Sequence, residues 1–316
     1  MKIAVLFPGQ GSQYLGMGQE FTTTDPECVA LLAMAEATCE LPLGSLCESG
    51  PMEELTRATN LQPAITITNL ICWQAFKNAL GNDVSVSCFA GHSLGEYSAL
   101  YAAGVIGAEE AMRLVSKRGT LMEREGIANP GGMRAVLGLD IDTIEELIGS
   151  YQGPGHVTAA NHNTPQQVVI SGSMNALDEV GRKAEEKGGK VIALNVSVAN
   201  HSPLVADAVP DFAKYMAEIE FKPPNVPVYF NVSAAQETDT GKIKEMMAGQ
   251  IASRVRWCEI IEAMLAEGVD TFIEVGPKTV LKGMMRKIIP KGTKVTSLQF
   301  DTPASLSQCV DKIRNA

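Results

Sequence analysis

The chain has 316 residues, of which 45% are hydrophobic and 20% charged, and its formal net charge is −10. This length is enough for one large domain, or for a large and a small one. The acidic balance argues against nucleic acid as a partner, because binding phosphates needs a basic surface. No run of about 18 apolar residues is present, so we expect no membrane partner either.

The N-terminus carries Lys2 and then enters an apolar run, without the long apolar segment of a secretory signal. The seven cysteines are scattered and never spaced as Cys-x-x-Cys. That pattern is typical of reduced thiols rather than of a disulfide framework or a zinc site. We therefore expect a cytoplasmic protein without a metal.

Apolar strand-like runs alternate with helix-like segments through most of the chain, which predicts an α/β fold with a parallel sheet. The predicted strands of this sheet are 3–7, 84–90, 226–231, 271–275 and 294–298.

The loop after the first strand reads Gly9-Gln10-Gly11-Ser12-Gln13. A strand followed by Gly-x-Gly is where a dinucleotide fingerprint would lie. Tyr14, however, occupies the place of the third glycine, and no acidic residue ends a second strand. The pattern therefore disfavours a nucleotide site.

The second predicted strand runs into Gly91-His92-Ser93-Leu94-Gly95, and a helix-prone stretch follows. Gly-x-Ser-x-Gly between a strand and a helix is the pattern of a nucleophile elbow, in which a tight turn exposes the serine. The first N–H groups of the following helix then point at the reaction centre. Ser93 is the predicted nucleophile, and the alternative is a chance match in a loop.

The segment 108–125 is helical by pattern, and Arg118 lies on its apolar face. A buried guanidinium must be paired, because burying it alone costs many kcal/mol. Its partner is either an internal carboxylate or the carboxylate of a substrate, which arginine binds well. The sequence leaves both interpretations open.

One segment interrupts the α/β rhythm. Its predicted order is strand, helix, strand, strand, helix, strand, at 134–139, 143–151, 156–161, 167–172, 175–187 and 191–197. This βαββαβ order is that of a ferredoxin-like unit. We predict a small ferredoxin-like domain at 129–198, inserted into a large α/β-hydrolase-like domain formed by 1–128 and 199–316. A ligand cleft is expected between them.

A serine nucleophile needs a base, and the chain has four histidines. His92 lies inside the elbow, and His156 and His162 flank a strand of the small domain. His201 stands where the chain re-enters the large domain, so it is the predicted base, the alternative being a structural histidine. Several strands still follow it, whereas the histidine of an α/β-hydrolase comes late in the chain.

With these residues assembled, the chain resembles the malonyl-CoA:acyl-carrier-protein transacylases, the acyltransferase family of fatty acid and polyketide synthesis. The segments that carry the resemblance are "FPGQGSQ" (7–13), "GHSLGEYSAL" (91–100), "KRG" (117–119), "NTPQQVVISG" (163–172), "FNV" (230–232), "VRW" (255–257) and "EVGPKTVL" (274–281). They cover nearly the whole chain in order.

The resemblance implies that Ser93 attacks the thioester of malonyl-CoA while His201 accepts its proton. It further implies that backbone N–H groups of Gln10 and Leu94 hold the oxyanion. Arg118 would then bind the malonyl carboxylate.

The resemblance also implies that the backbone carbonyl of Gln250 orients the catalytic histidine, and it places Met133 and Asn200 at the substrate. Asn200 stands where the family often has Phe or Ser, Arg254 where it usually has Pro, and Arg134 where we expect a small residue.

The implied reaction passes the malonyl group to the phosphopantetheine thiol of an acyl carrier protein, by a ping-pong route without a cofactor. A monomer is expected. The alternatives are an acyl hydrolase of the same fold acting on carrier proteins, and a non-catalytic module that binds them.

Overall fold

The computed structural model describes residues 1–81, 84–196 and 198–315. The strands of the described residues are β1 (Ile3–Phe7), β2 (Val86–Gly91), β3 (Gly132–Leu137), β4 (Val157–Thr164), β5 (Gln167–Gly172), β6 (Lys190–Ala193), β7 (Val228–Tyr229), β8 (Thr271–Val275) and β9 (Thr296–Phe300). The helices are α1 (Gln19–Thr22), α2 (Pro26–Cys39), α3 (Leu43–Ser49), α4 (Met52–Thr56), α5 (Ala58–Leu80), α6 (Gly95–Ala102), α7 (Ala108–Ala128), α8 (Ile141–Gly149), α9 (Met174–Glu186), α10 (Ala208–Ala217), α11 (Thr240–Gly249), α12 (Trp257–Ala266), α13 (Val280–Ile288) and α14 (Pro303–Arg314).

The larger sheet is parallel, in the order β7-β2-β1-β8-β9. All five residues of β1 are buried. Ile3, Val5 and Phe7 pack into one hydrophobic core, and Ala4 and Leu6 pack into a second. Since alternate side chains point to opposite faces, the two cores lie on the two sides of the sheet. The expected α/β fold with a parallel sheet is confirmed.

The smaller sheet is antiparallel, in the order β4-β5-β3-β6. Along the chain its elements run β3-α8-β4-β5-α9-β6. One face packs against α8 and α9 in a core that includes Val136 and Ile170. Met133, Ala135 and Val169 lie in a separate cluster, as the alternation along β3 and β5 requires.

Three predicted strands have the observed bounds, at 3–7, 167–172 and 271–275. The predicted strand 226–231 is too long, because only two residues pair as β7. Pro227 has no N–H to give to a ladder, and the Phe230 N–H donates to Ala235 at 3.0 Å in a local turn.

The other predicted elements are displaced by a few residues. The strand predicted at 134–139 ends at Leu137, because Gly138 turns the chain away with φ 89°. The helix predicted from 143 begins at Ile141, since the Asp140 side chain caps it through the Thr143 N–H at 2.8 Å. The strand predicted at 191–197 ends at Ala193. Ser197 lies outside the described residues.

The remaining differences also have local causes. The strand predicted at 294–298 begins at Thr296, because turns hold the chain through Val295. The strand predicted at 156–161 extends to Thr164 as β4, since its far end pairs with β5 at Gln167. The strand predicted at 84–90 is observed as β2, and the helix predicted at 175–187 is observed as α9.

A short bridge joins the two sheets. Val255 donates its N–H to Ala160 at 2.8 Å and accepts the His162 N–H at 2.9 Å. Arg254 donates Nε–H to the Ala159 carbonyl at 2.8 Å and pairs with Glu145 of α8. Arg254 therefore ties the region next to the larger sheet to the smaller sheet.

Arg134 lies on the helix-facing side of the smaller sheet. It donates to the Leu177 carbonyl at 3.2 Å and pairs with Asp178, both on α9. Arg134 therefore attaches α9 to β3.

In the described part of the chain, no single helix is long and apolar enough to cross a membrane. The bent pair formed by α2 and α3 meets that test by length and composition when its two helices are taken together. All seven cysteines are free.

Candidate active site

Three neighbouring parallel strands end at the same edge of the larger sheet. Gln10 follows β1, Ser93 follows β2 and Asn231 follows β7. The carboxyl edge of a parallel sheet is where α/β proteins bind ligands. The topology therefore brings together three polar residues that are far apart in sequence.

Ser93 lies in the tight turn predicted from the glycine pattern. Its φ is 50°, in the left-handed region that residues with a side chain rarely adopt. A Cβ on Gly91 would lie 1.9 Å from the carbonyl carbon of Gly95, and a Cβ on Gly95 would lie 2.1 Å from the Phe7 oxygen. Only glycines fit at these two positions, and they allow α6 to start directly behind the serine.

His201, the histidine proposed as the base, contacts the serine. The Ser93 hydroxyl lies 2.8 Å from Nε2 of His201. Nδ1 lies 3.0 Å from the Gln250 carbonyl oxygen and 2.9 Å from that of Ser253. Since a carbonyl only accepts, Nδ1 carries the hydrogen and Nε2 offers its lone pair to the serine.

The environment keeps this imidazole neutral. Burial, and then the positive charge of Arg118, lower the pKa of His201 to about 3. A neutral imidazole is the form that can accept a proton.

The other histidines do not reach the serine. Nε2 of His92 lies 2.8 Å from the Asn163 side-chain oxygen, and its ring packs edge-on against Trp257. Nδ1 of His162 lies 3.5 Å from Glu259. His156 is exposed at the start of β4.

Arg118 projects from α7 and is 2% exposed. Its guanidinium donates to Ser93 Oγ at 3.2 Å, to Gln62 at 2.9 Å and to the Gln250 side-chain oxygen at 3.1 Å. Among the described residues, it forms no ion pair with a carboxylate. A cation therefore lies beside the serine hydroxyl with only neutral groups as its direct partners.

Gln250 contributes both its carbonyl and its side chain. Its Nε2 donates to the Ser93 carbonyl at 2.8 Å and to the Glu96 carboxyl. Glu96 is 1% exposed. Burial raises the pKa of its carboxyl to about 8, although the donors from Asn231 and Gln250 act in the opposite direction.

The glycine-containing first loop packs against the elbow. A Cβ on Gly9 would lie 2.5 Å from the His92 oxygen and 3.5 Å from the Leu94 nitrogen. Ser12 closes the loop by donating its hydroxyl to the Gly9 carbonyl at 2.7 Å. Within the described chain, the N–H groups of Gln10 and Leu94 have no hydrogen-bond acceptor.

A cavity of about 330 Å³ opens onto the serine. Its wall includes the elbow, the first loop, Met133 of β3 and the start of α13. A second cavity of about 570 Å³ shares Gln10 and Asn200 with the first. Asn200 is 7% exposed and its side-chain oxygen has no hydrogen-bond partner among the described residues.

The structure thus brings together Ser93, His201, Arg118 and Gln250, and it lines the adjoining cavity with Gln10, Met133 and Asn200. Sequence reasoning missed contacts made by Glu96, Asn231 and Ser253. Glu96 and Asn231 lie inside two of the quoted motifs, "GHSLGEYSAL" and "FNV", so their positions were visible and their function was not. In the described ranges, no group of three or more His, Cys, Asp or Glu side chains could hold a metal.

Known proteins have a similar fold and a similar sequence. The family model of the acyl transferase domain matches residues 5–299. A malonyl CoA-acyl carrier protein transacylase of Bacillus subtilis is 40% identical, covering 99% of this chain and 98% of its own.

Two solved structures are also similar. An acyl carrier protein S-malonyltransferase from Vibrio cholerae superposes with a TM-score of 0.93 at 36% identity, covering 98% of this chain and 100% of its own. A type II polyketide malonyl-transacylase, solved in complex with its acyl-carrier protein, has a TM-score of 0.93 at 34% identity, covering 99% and 100%. The chain therefore belongs to the acyl transferase family and is an acyltransferase.

Proposed function

We propose that this enzyme transfers the malonyl group of malonyl-CoA to the phosphopantetheine thiol of an acyl carrier protein, through a malonyl-Ser93 intermediate. The observation that carries the proposal is the buried guanidinium of Arg118, which lies 3.2 Å from Ser93 Oγ without a carboxylate partner in the described chain. A substrate carboxylate supplies the missing anion. The names of the relatives agree with this substrate.

The first half-reaction begins at the contact between Ser93 and His201. Nε2 of His201 accepts the hydroxyl proton as Ser93 Oγ attacks the thioester carbonyl. The tetrahedral intermediate then collapses, and the leaving CoA sulfur takes the proton from His201. The carbonyls of Gln250 and Ser253 hold the ring in the required orientation.

The oxyanion lies between the elbow and the first loop. The Ser93 N–H is already used, since it donates to the Asn231 side chain at 2.7 Å. The next N–H belongs to Leu94 at the start of α6, where the helix dipole favours negative charge. The N–H of Gln10 is the second donor, and the close packing of Gly9 on the elbow supports that assignment.

Met133 and Asn200 contact the acyl group from the wall of the cavity. In the second half-reaction His201 takes the proton of the carrier thiol as its sulfur attacks the malonyl-serine carbonyl. The bond between Ser93 Oγ and the acyl group then breaks, and Oγ takes the proton back from His201, which regenerates the free enzyme. The ion pair at Arg118 fixes the acyl group and limits where water can approach, which favours transfer over hydrolysis.

Two alternatives remain distinct from this proposal. An acyl hydrolase of the same fold would pass the acyl group to water. A carrier-binding module would need no contact between a serine and a histidine. The presence of Arg118 beside the serine favours transfer over the first. The short contact between Ser93 and His201 favours an enzyme over the second.

We further infer a two-domain organisation, with 129–198 as a ferredoxin-like domain inserted into an α/β-hydrolase-like domain formed by 1–128 and 199–316. The sheet order β4-β5-β3-β6 and the separate core beneath α8 and α9 support it.

We also propose a monomer in the cytoplasm, where the seven free thiols stay reduced.

The decisive experiment incubates the protein with malonyl-CoA and a holo acyl carrier protein and records intact masses of enzyme and carrier. We expect the carrier to gain one malonyl group with the wild type and none with Ser93→Ala. Free malonate with an unloaded carrier would establish the hydrolase instead. Acetyl-CoA serves as the control substrate that lacks the carboxylate.

A further inference from the structure

The serine elbow is a strained turn whose shape needs support. A residue with a side chain in the left-handed region, such as Ser93 with φ 50°, is strained and persists only where its surroundings fix it. The position of Oγ depends on this turn, because the side chain follows the backbone. The groups that hold the backbone of Gly91 and Ser93 therefore decide where the nucleophile lies.

The side-chain amide of Asn231 spans the elbow. Its Oδ1 accepts the Ser93 N–H at 2.7 Å, and its Nδ2 donates to the Gly91 carbonyl at 2.7 Å. Asn231 is 0% exposed, so water does not compete for either bond. One planar amide thus holds both sides of the turn, and it needs a donor and an acceptor at once, which a carboxylate does not offer.

Glu96 holds Asn231 in turn. Its Oε1 accepts the Asn231 backbone N–H at 2.6 Å, and its Oε2 accepts from Nε2 of Gln250. The second hydrogen on that nitrogen goes to the Ser93 carbonyl at 2.8 Å. The amide oxygen of Gln250 accepts from Arg118 at 3.1 Å.

These bonds form a closed buried network around the nucleophile. Both backbone polar groups of Ser93 end in it, and so does the guanidinium that contacts Ser93 Oγ. The backbone carbonyl of Gln250, from the same residue, orients His201 at 3.0 Å. The three groups that meet at the reaction centre are therefore linked through Gln250, Glu96 and Asn231.

We propose that Asn231 is the positioning residue of the serine elbow and that Glu96, by binding both Asn231 and Gln250, couples the elbow to Arg118. Neither residue lines the cavity that opens onto the serine, and both act through the geometry of Ser93. The inference deepens the proposed function and rests on it only for the choice of substrate, because the elbow can also be probed with a reagent that carries no acyl group.

The test measures the rate constant at which a fluorophosphonate labels Ser93. This rate constant is normalised to the fraction of the protein that is labelled when the reaction is complete. We expect Asn231→Ala and the isosteric Asn231→Asp to lower this rate constant by about 10- to 100-fold, since small misplacements of a nucleophile have effects of this size. Asn231→Asp keeps the shape of the side chain but sets a carboxylate oxygen, which repels the Gly91 carbonyl, in place of the donor. It serves if the alanine variant does not fold.

Ile313→Ala is the matched control, since Ile313 is a buried core residue of α14 without contact to the network. It lowers the melting temperature and leaves the normalised rate constant within about twofold of wild type. A merely structural role for Asn231 predicts the same behaviour, namely a smaller labelled fraction with an unchanged rate constant, and that result would overturn the proposal.

The variant Glu96→Gln tests whether Glu96 couples the elbow to Arg118. It keeps an acceptor for the Asn231 N–H but sets an amide nitrogen against Nε2 of Gln250. We expect a lower labelling rate constant and, with malonyl-CoA, a lower kcat with KM within about threefold of wild type. A wild-type labelling rate in Glu96→Gln would remove Glu96 from the proposal. If the wild type failed to transfer malonyl at all, the labelling comparison would still decide the role of Asn231.

Discussion

Nδ1 of His201 donates to the backbone oxygen of Gln250 at 3.0 Å, a contact that replaces the carboxylate of a serine hydrolase triad. The Ser253 carbonyl shares this hydrogen at 2.9 Å. Two neutral carbonyls fix the tautomer without adding a negative charge. The imidazole is therefore oriented as in a triad while its environment still disfavours the imidazolium.

A flat pH profile follows from this environment. Burial and the charge of Arg118 hold the pKa of His201 at about 3, far below its ordinary value of 6.5. His201 therefore stays neutral through the acid range, and kcat/KM for malonyl-CoA should be constant between about pH 5 and pH 7, below the pKa of about 8 of Glu96. An acid limb with an apparent pKa near 6.5 would contradict this assignment.

The lowered pKa of His201 also makes the stability of the folded protein depend on pH. The histidine of the unfolded chain protonates below pH 6.5 while the folded one does not until about 3. The stability contributed by the neutral ring is present above pH 6.5 and is lost as the pH falls from there toward 3. Arg118→Ala removes a neighbouring positive charge, so the pKa of His201 should rise in this variant. The acid limb of its kcat/KM profile should then move up toward pH 6.5.

Arg118→Ala should separate malonyl from acetyl substrates. A hydrogen-bonded carboxylate pair contributes about 1.5–3 kcal/mol, so we expect malonyl loading of Ser93 to fall by about 10- to 150-fold. Acetyl loading should be retained or improved, because acetyl has no carboxylate. The measurement is the rate of enzyme acylation from each CoA ester, followed by intact mass. An equal loss with both substrates would identify a structural arginine.

Gly95→Ala should distort the serine elbow at the start of α6. The added Cβ would lie 2.1 Å from the Phe7 oxygen, a backbone atom of β1 that cannot move freely. We expect a loss of about 1–3 kcal/mol in the free energy of unfolding, measured by urea titration, together with loss of Ser93 labelling.

Gly283→Ala provides the comparison for that variant. Gly283 lies inside α13, and a Cβ there meets nothing within 4 Å. Replacing a helical glycine by alanine should stabilise the protein by about 0.5–1 kcal/mol. If both variants changed stability by the same amount, close packing at Gly95 would not be the cause.

The sequence predicted the elements whose causes are local. The apolar run of β1 and the glycines around Ser93 specify their own conformations, and both were recognised from the residues alone. Strand ends were less predictable where a distant partner or a turn decides them, as at β7, where the Phe230 N–H turns to Ala235.

The residues of the candidate site likewise differ in how far the sequence predicts them. Ser93 and Arg118 were visible because a motif or a misplaced charge marks them. Glu96 and Asn231 were not, because their importance comes from contacts with residues more than a hundred positions away, as between the Asn231 N–H and Glu96. A buried polar network is a property of the folded chain, and single-residue patterns do not reveal which partner satisfies which atom.

In the proposed reaction Ser93 carries the acyl group. The most direct measurement quenches the enzyme with acid after brief exposure to malonyl-CoA, digests it and locates the added mass by peptide mapping. We expect one malonyl group on the peptide containing Ser93, slower labelling in His201→Ala and none in Ser93→Ala. Malonyl on another residue, or consumption of malonyl-CoA by Ser93→Ala at the wild-type rate, would show that Ser93 is not the nucleophile.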